Sequence, residues 1–194
     1  MLPHLLHAAN AGLQEIGVSR PVPPSRFRAA EGVRQARLVF GGRPSPAGSL
    51  RPLTEAQKSG LRYEKKALDF LARELALNAE PPRELLRSPW ISFTDRTGSR
   101  LCQPDALIDI PSENRTVVVE IKLRHMPEAW WQLRKLYEPV AREARPGHQI
   151  ALLCVTKSFD PFVSWGEVPT LFSTLEDFLS ERSSSKIGVL EWKP

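Results

Sequence analysis

From residue 60 to 75 the apolar side chains recur with the period of a helix. At about 100° per residue, Leu61, Tyr63, Ala67, Leu68, Leu71 and Leu75 fall on one broad arc. Thr54 and Gln57 have the spacing of a capping box, so the helix is predicted to begin there and to run to about Asn78, short of the breaker Pro81-Pro82. Three strand-like runs follow, at 90–94, 101–110 and 116–123, with turn-forming sequences at 95–99 and 111–115 between them. That pattern predicts a meander of antiparallel hairpins.

Pro127 stands where a second helix could begin, and Trp130, Leu133, Tyr137, Val140 and Ala144 recur at three- and four-residue spacings until Pro146-Gly147. The run 149–156 is apolar enough for a buried strand. Residues 170–181 read as a third helix, and 187–192 as a short closing strand. The predicted class is therefore α/β: a core of helix, three-strand meander, helix and strand, followed by a C-terminal helix and short strand. No internal repeat is present.

Residues 1–52 have another character. A possible short helix at 5–16 precedes Pro21, Pro23, Pro24, Pro44, Pro46 and Pro52, a composition that resists regular structure. The basic residues there are all arginine: Arg20, Arg26, Arg28, Arg34, Arg37, Arg43 and Arg51. After residue 20 only Glu31 opposes them. This stretch reads as an arm, with a brief ordered piece at 32–40, ahead of one domain at 53–194. It serves either as a solubilising tail or as a nucleic-acid or partner-binding arm.

With 194 residues and 41% hydrophobic content the chain can bury a core, and a formal charge of +5 permits a polyanionic partner without requiring one. Cys102 and Cys154 lie in apolar runs with no CxxC pair, which points to reduced core residues and leaves a disulfide open. The N-terminal apolar run is too short and interrupted for a signal or membrane-spanning helix. No membrane association and a cytoplasmic location are the expectation.

The candidate chemistry sits on the third strand. Side chains alternate across a strand, so Glu120 and Lys122 emerge on one face while Val119, Ile121 and Leu123 pack on the other. Alone, the pair could be a surface ion pair of little consequence. Pro104-Asp105 lies one hairpin earlier, and a proline there signals an edge or bulge able to redirect Asp105 toward Glu120. Glu64 interrupts the apolar arc of the first helix, where a carboxylate needs a metal or an ionic partner. A structural salt bridge would also satisfy it.

Together, Glu64 in Gly60-Leu61-Arg62-Tyr63-Glu64, then Pro104-Asp105, then Glu120-Ile121-Lys122 resemble the PD-(D/E)XK nuclease superfamily, over about residues 54–156. The resemblance implies a restriction-endonuclease-like fold and a Mg²⁺- or Mn²⁺-dependent nuclease acting on DNA. Asp105, Glu120 and the Ile121 carbonyl would hold the principal ion, Glu64 would tune it or bind a second, and Lys122 would orient the water or stabilise charge on the phosphate. Some relatives carry a Gln-xxx-Tyr motif on the next helix. Here Gln132 and Tyr137 are one residue further apart, which in an α-helix turns Tyr137 about 100° away and argues against an exonuclease type.

Gln132, Arg124, Arg134 and Lys135 are the expected substrate contacts, in a neighbourhood that also holds His125, Arg142, Arg145, Trp130 and Trp131. His4, His7, His125 and His148 have no spacing partners for a metal site and read as surface. DNA is the implied partner, with action as a homodimer or within a larger nucleoprotein complex. Two rivals stand beside this reading: a non-cleaving nucleic-acid-binding or assembly subunit that keeps the fold, and another fold in which Glu64 lies far from Glu120 and Lys122.

Overall fold

Thr54 caps the first helix as its spacing predicts: its hydroxyl takes the Gln57 amide N–H, and the Gln57 side chain takes the Thr54 N–H at 2.9 Å. A computed structural model describes residues 27–39, 52–78, 81–124, 127–160, 166–182 and 186–194. The possible helix at 5–16, Arg20, Arg26, Arg43, Arg51, His4, His7 and His125 lie outside the described residues.

In chain order the elements are β1 (Gln35–Val39), α1 (Glu55–Leu77), β2 (Glu84–Arg87), β3 (Trp90–Asp95), β4 (Gly98–Cys102), β5 (Ala106–Ile110), β6 (Arg115–Lys122), α2 (127–144), β7 (Gln149–Thr156), β8 (Thr170–Phe172), α3 (Leu175–Ser180) and β9 (Gly188–Glu191). The fold is mixed α/β. Its central sheet has six strands in the order β2-β5-β6-β7-β9-β8, and a smaller sheet runs β1-β3-β4. Within the large sheet β2, β5 and β6 pair antiparallel, and β6, β7, β9 and β8 pair parallel.

Alternation on β6 divides the core. Val117, Val119 and Ile121 join Tyr63, Ala67, Leu68, Leu71 and Leu75 of α1, whereas Val118 joins Leu133, Tyr137 and Val140 of α2 and Ile91 and Phe93 of the small sheet. The central sheet is thus covered on both faces, which is why β5, β6 and β7 read as nearly continuous apolar runs. Leu61 departs from the predicted arc and is 52% exposed, because it lies at the rim of the helix face.

Three expectations need correction. The run 101–110 is two strands in two sheets, β4 and β5, broken at Gln103-Pro104-Asp105, since a proline cannot donate to the ladder. The helix expected at 170–181 is shorter: β8 occupies its start, and Thr174, capped reciprocally with Asp177, begins α3. The ordered piece of the arm is built into the domain, because β1 pairs with β3 along its length and Ala36 and Leu38 pack on the core.

Cys102 and Cys154 are buried and free. Among the described residues, no helix is long and apolar enough to cross a membrane.

Candidate active site

Pairing between β5 and β6 begins at Ala106↔Val119, so the last three residues of β6 run past the start of β5 while still paired to β7. Pro104 and Asp105 occupy that gap. The Asp105 carboxylate stands in for the missing strand, its Oδ2 accepting the Ile121 N–H at 2.6 Å. Glu120 and Lys122 alternate away from Val119 and Ile121, and the Lys122 ammonium donates to Glu120 Oε1. Glu120 is 2% exposed, and its other oxygen, Oε2, is enclosed without a hydrogen-bond partner among the described residues.

Glu64 comes from α1, on the opposite face of the sheet, yet its carboxyl feels the charges of Asp105 and Lys122. It is half-buried. The structure therefore brings all four expected groups into one electrostatic neighbourhood.

Each carboxyl there resists ionisation. Burial, then the Asp105 charge, pushes Glu120 up to about 8; Lys122 pulls it down and Glu64 adds to the rise. Burial raises Asp105 against the opposing Ile121 N–H and Lys122, and burial with the neighbouring Asp105 raises Glu64. Burial acts to lower Lys122, but the Glu120 and Asp105 carboxylates outweigh it and hold the ammonium above its ordinary range. Three carboxyls thus share one ammonium in a poorly solvated place, and the deficit is of positive charge.

A hard divalent cation fits that deficit and the unpartnered Glu120 oxygen, since carboxylate and carbonyl oxygens are its preferred ligands. Asp105, Glu120 and the Ile121 carbonyl are the residues that could hold it, and Glu64 is coupled to them electrostatically. Among the described residues, no three acidic, histidine or cysteine side chains already converge as a metal-binding group.

α2 holds the main surprise. It is α-helical at Pro127–Trp130 and Glu138–Ala144 but π-helical at Trp131–Tyr137, where the Glu138 N–H reaches back five residues to the Leu133 carbonyl. A five-residue reach puts Gln132 and Tyr137 on one face, so the expected 100° offset does not occur. The Tyr137 hydroxyl donates to the Gln103 carbonyl at 3.1 Å. Burial, then the charges of Glu120 and Asp105, raise the Tyr137 pKa. Gln132 Oε1 is enclosed and unpartnered. The signal was present in the sequence as Pro139, which has no N–H to give the Lys135 carbonyl four residues back.

The outer contacts are less uniform. Arg124 and Lys135 are exposed. Arg134, in contrast, is bound to Glu138 at 2.8 Å and to Glu167 at 2.6 Å, an ion network that closes α2 against the segment before β8. Trp130 is 4% exposed beneath Lys135, and Trp131 packs against Phe27, so neither ring forms an open stacking platform. Arg142 pairs with Glu138, and Arg145 with the buried Asp109. His148, expected as a surface residue, hydrogen-bonds Thr116 at 2.9 Å, and Thr116 donates to Asp109 at 2.6 Å.

Comparison with models of known protein families, with curated protein sequences and with solved structures found no match.

Proposed function

We propose that the chain is a divalent-metal-dependent nuclease that hydrolyses phosphodiester bonds in DNA and has a restriction-endonuclease-like core. The observation that carries this reading is the cluster at the gap between β5 and β6. There Asp105 accepts the Ile121 N–H and Lys122 donates to Glu120, Glu64 is coupled to them electrostatically, the carboxyls outnumber the one ammonium, and Glu120 Oε2 is unpartnered among the described residues. The order α1, β5–β6 hairpin, α2 and parallel β7 supports the fold assignment.

Bound Mg²⁺ or Mn²⁺ supplies charge neutralisation at the scissile phosphate and a more acidic water. Asp105 and Glu120 bind through carboxylate oxygens, aided by the Ile121 carbonyl, and Glu64 adjusts the charge from the helix side. Asp105 is fixed by the Ile121 N–H through Oδ2, which leaves Oδ1 outside that bond. Lys122 keeps its proton because Glu120 and Asp105 surround it, and so offers a fixed positive charge to the water or the phosphate.

Ion binding without DNA provides the test. In a calorimetric titration with Mn²⁺, the wild type is expected to take up the ion with proton release at neutral pH, and Asp105→Asn to lose that heat. Equal heats from the two proteins would remove the metal role of Asp105. A non-cleaving binding subunit instead predicts DNA affinity with no ion-dependent product.

The arm tests separately. Replacing Arg20, Arg26, Arg43 and Arg51 with Gln leaves β1 intact and removes up to four phosphate contacts. The slope of log affinity against log salt is then expected to flatten by up to about 4, with turnover at saturating DNA preserved. An unchanged slope would exclude these arginines from phosphate contact.

A further inference from the structure

The π-helical turn of α2 has an identifiable cause, and its open carbonyl is capped from a distant part of the chain. Pro139 offers no N–H to the Lys135 carbonyl, and its ring crowds that oxygen, so the α-helical bond at this point is forbidden. The helix widens to the five-residue reach between Glu138 and Leu133. The Lys135 carbonyl is satisfied instead by the Ala30 N–H at 2.8 Å.

Residues 27–31 are held in place to do this. Arg100 on β4 donates to the carbonyls of Ala29 and Arg28, each at 2.8 Å, and is itself fixed by Asp95 at 2.7 Å. At the other end the Phe27 ring packs against Trp131, with centroids 5.6 Å apart. The segment is pinned between the small sheet and α2.

We propose that residues 27–31 act as a strap that sets the register of α2, and that through this register they position Tyr137 against the Gln103 carbonyl, two residues before Asp105; the role in turnover rests on the nuclease reading above. In the π register the Tyr137 hydroxyl donates to the Gln103 carbonyl at 3.1 Å, two residues before Asp105. In an α register Tyr137 would turn away from this contact. Phe27 and the Ala30 amide are therefore positioning elements that never touch the reacting atoms. The strap is also where residues 1–26 join the fold, which ties the arm to the catalytic helix.

Pro139→Ala tests the proposal, because it restores an N–H that can bond the Lys135 carbonyl and removes a proline from the helix, so the fold is not weakened. The expected result is an unchanged or higher Tm and loss of hydrogen-exchange protection at the Ala30 amide. With it, kcat is expected to fall on the order of 10²-fold with DNA affinity unchanged. Phe27→Ala should move kcat in the same direction, and Phe27→Tyr should restore it. An Ala30 amide that stays protected in Pro139→Ala, or one that loses protection with no change in kcat, would overturn the proposal. A wild type that cleaves no DNA would sink the nuclease reading by itself, and the Ala30 exchange and the Tm would then decide whether the strap sets the register.

Discussion

Replacing Lys122 or Asp105 with alanine is expected to lower DNA cleavage by on the order of 10³-fold while changing DNA affinity little. A fixed charge or ligand at the reacting phosphate is worth that much in turnover, whereas affinity comes from many dispersed phosphate contacts. The two variants fail for different reasons. Lys122→Ala removes the ammonium that partners Glu120 Oε1, so the buried Glu120 carboxyl resists ionisation further and holds a cation less well. Asp105→Ala removes a ligand and strips the Ile121 N–H of its acceptor. Single-turnover cleavage and filter binding, measured on the same preparations, separate the two quantities. Parallel loss of cleavage and binding in both variants would point to unfolding or to a binding-only protein.

Stability should fall as pH rises across the neutral range and recover when a divalent ion is added. Glu120 has its folded-state pKa raised from 4.5 to about 8. A carboxyl shifted in that direction leaves stability intact below its unfolded pKa and removes it as pH rises through the folded one. The loss between about pH 4.5 and pH 8.5 is on the order of 3–5 kcal/mol, with Asp105 and Glu64 acting in the same sense. Glu176 and Glu191 are shifted down by their pairing with Arg83 and Lys193; their contribution is lost only as pH falls below the ordinary carboxylate range, outside this window. Denaturant midpoints in chelator should therefore decline from about pH 5 to about pH 9. A divalent ion at about 100 times its dissociation constant should restore about 2.7 kcal/mol at the alkaline end. Rising stability over this range, or no response to the ion, would contradict the charge account of the site.

What could be read from the sequence follows from how local each signal is. The cap at Thr54, the stripe on α1 and the alternation on β6 are written in neighbouring residues, so they match the structure closely. Glu64 was visible because it interrupts that stripe. The break between β4 and β5 was hidden in an apolar run whose only mark is Pro104, and whether a proline makes a bulge or sends the chain to another sheet depends on distant partners. β2 is four residues long and β8 three, both too short to show a period.

The site followed the same rule. Glu120 and Lys122 share a face by alternation alone, but Asp105 reaches them by accepting the Ile121 N–H, a contact set by where β5 begins. Arg134 was expected on substrate because its ion partner Glu167 is 33 residues away. The facing of Gln132 and Tyr137 departs from the α-helical expectation because the helix is π-helical over Trp131–Tyr137. Pro139 and the amide of Ala30, far apart in the chain, jointly change it.

The most direct test of the central claim is a time course on covalently closed circular duplex DNA. Wild type in Mg²⁺, wild type in EDTA and Asp105→Ala in Mg²⁺ are compared at equal concentration. The account predicts nicked or linear product in the first reaction and none above background in the other two. Product that persists in EDTA or with Asp105→Ala, or no product in any reaction when linear, single-stranded and branched DNA are also uncut in Mg²⁺ or Mn²⁺, would contradict it.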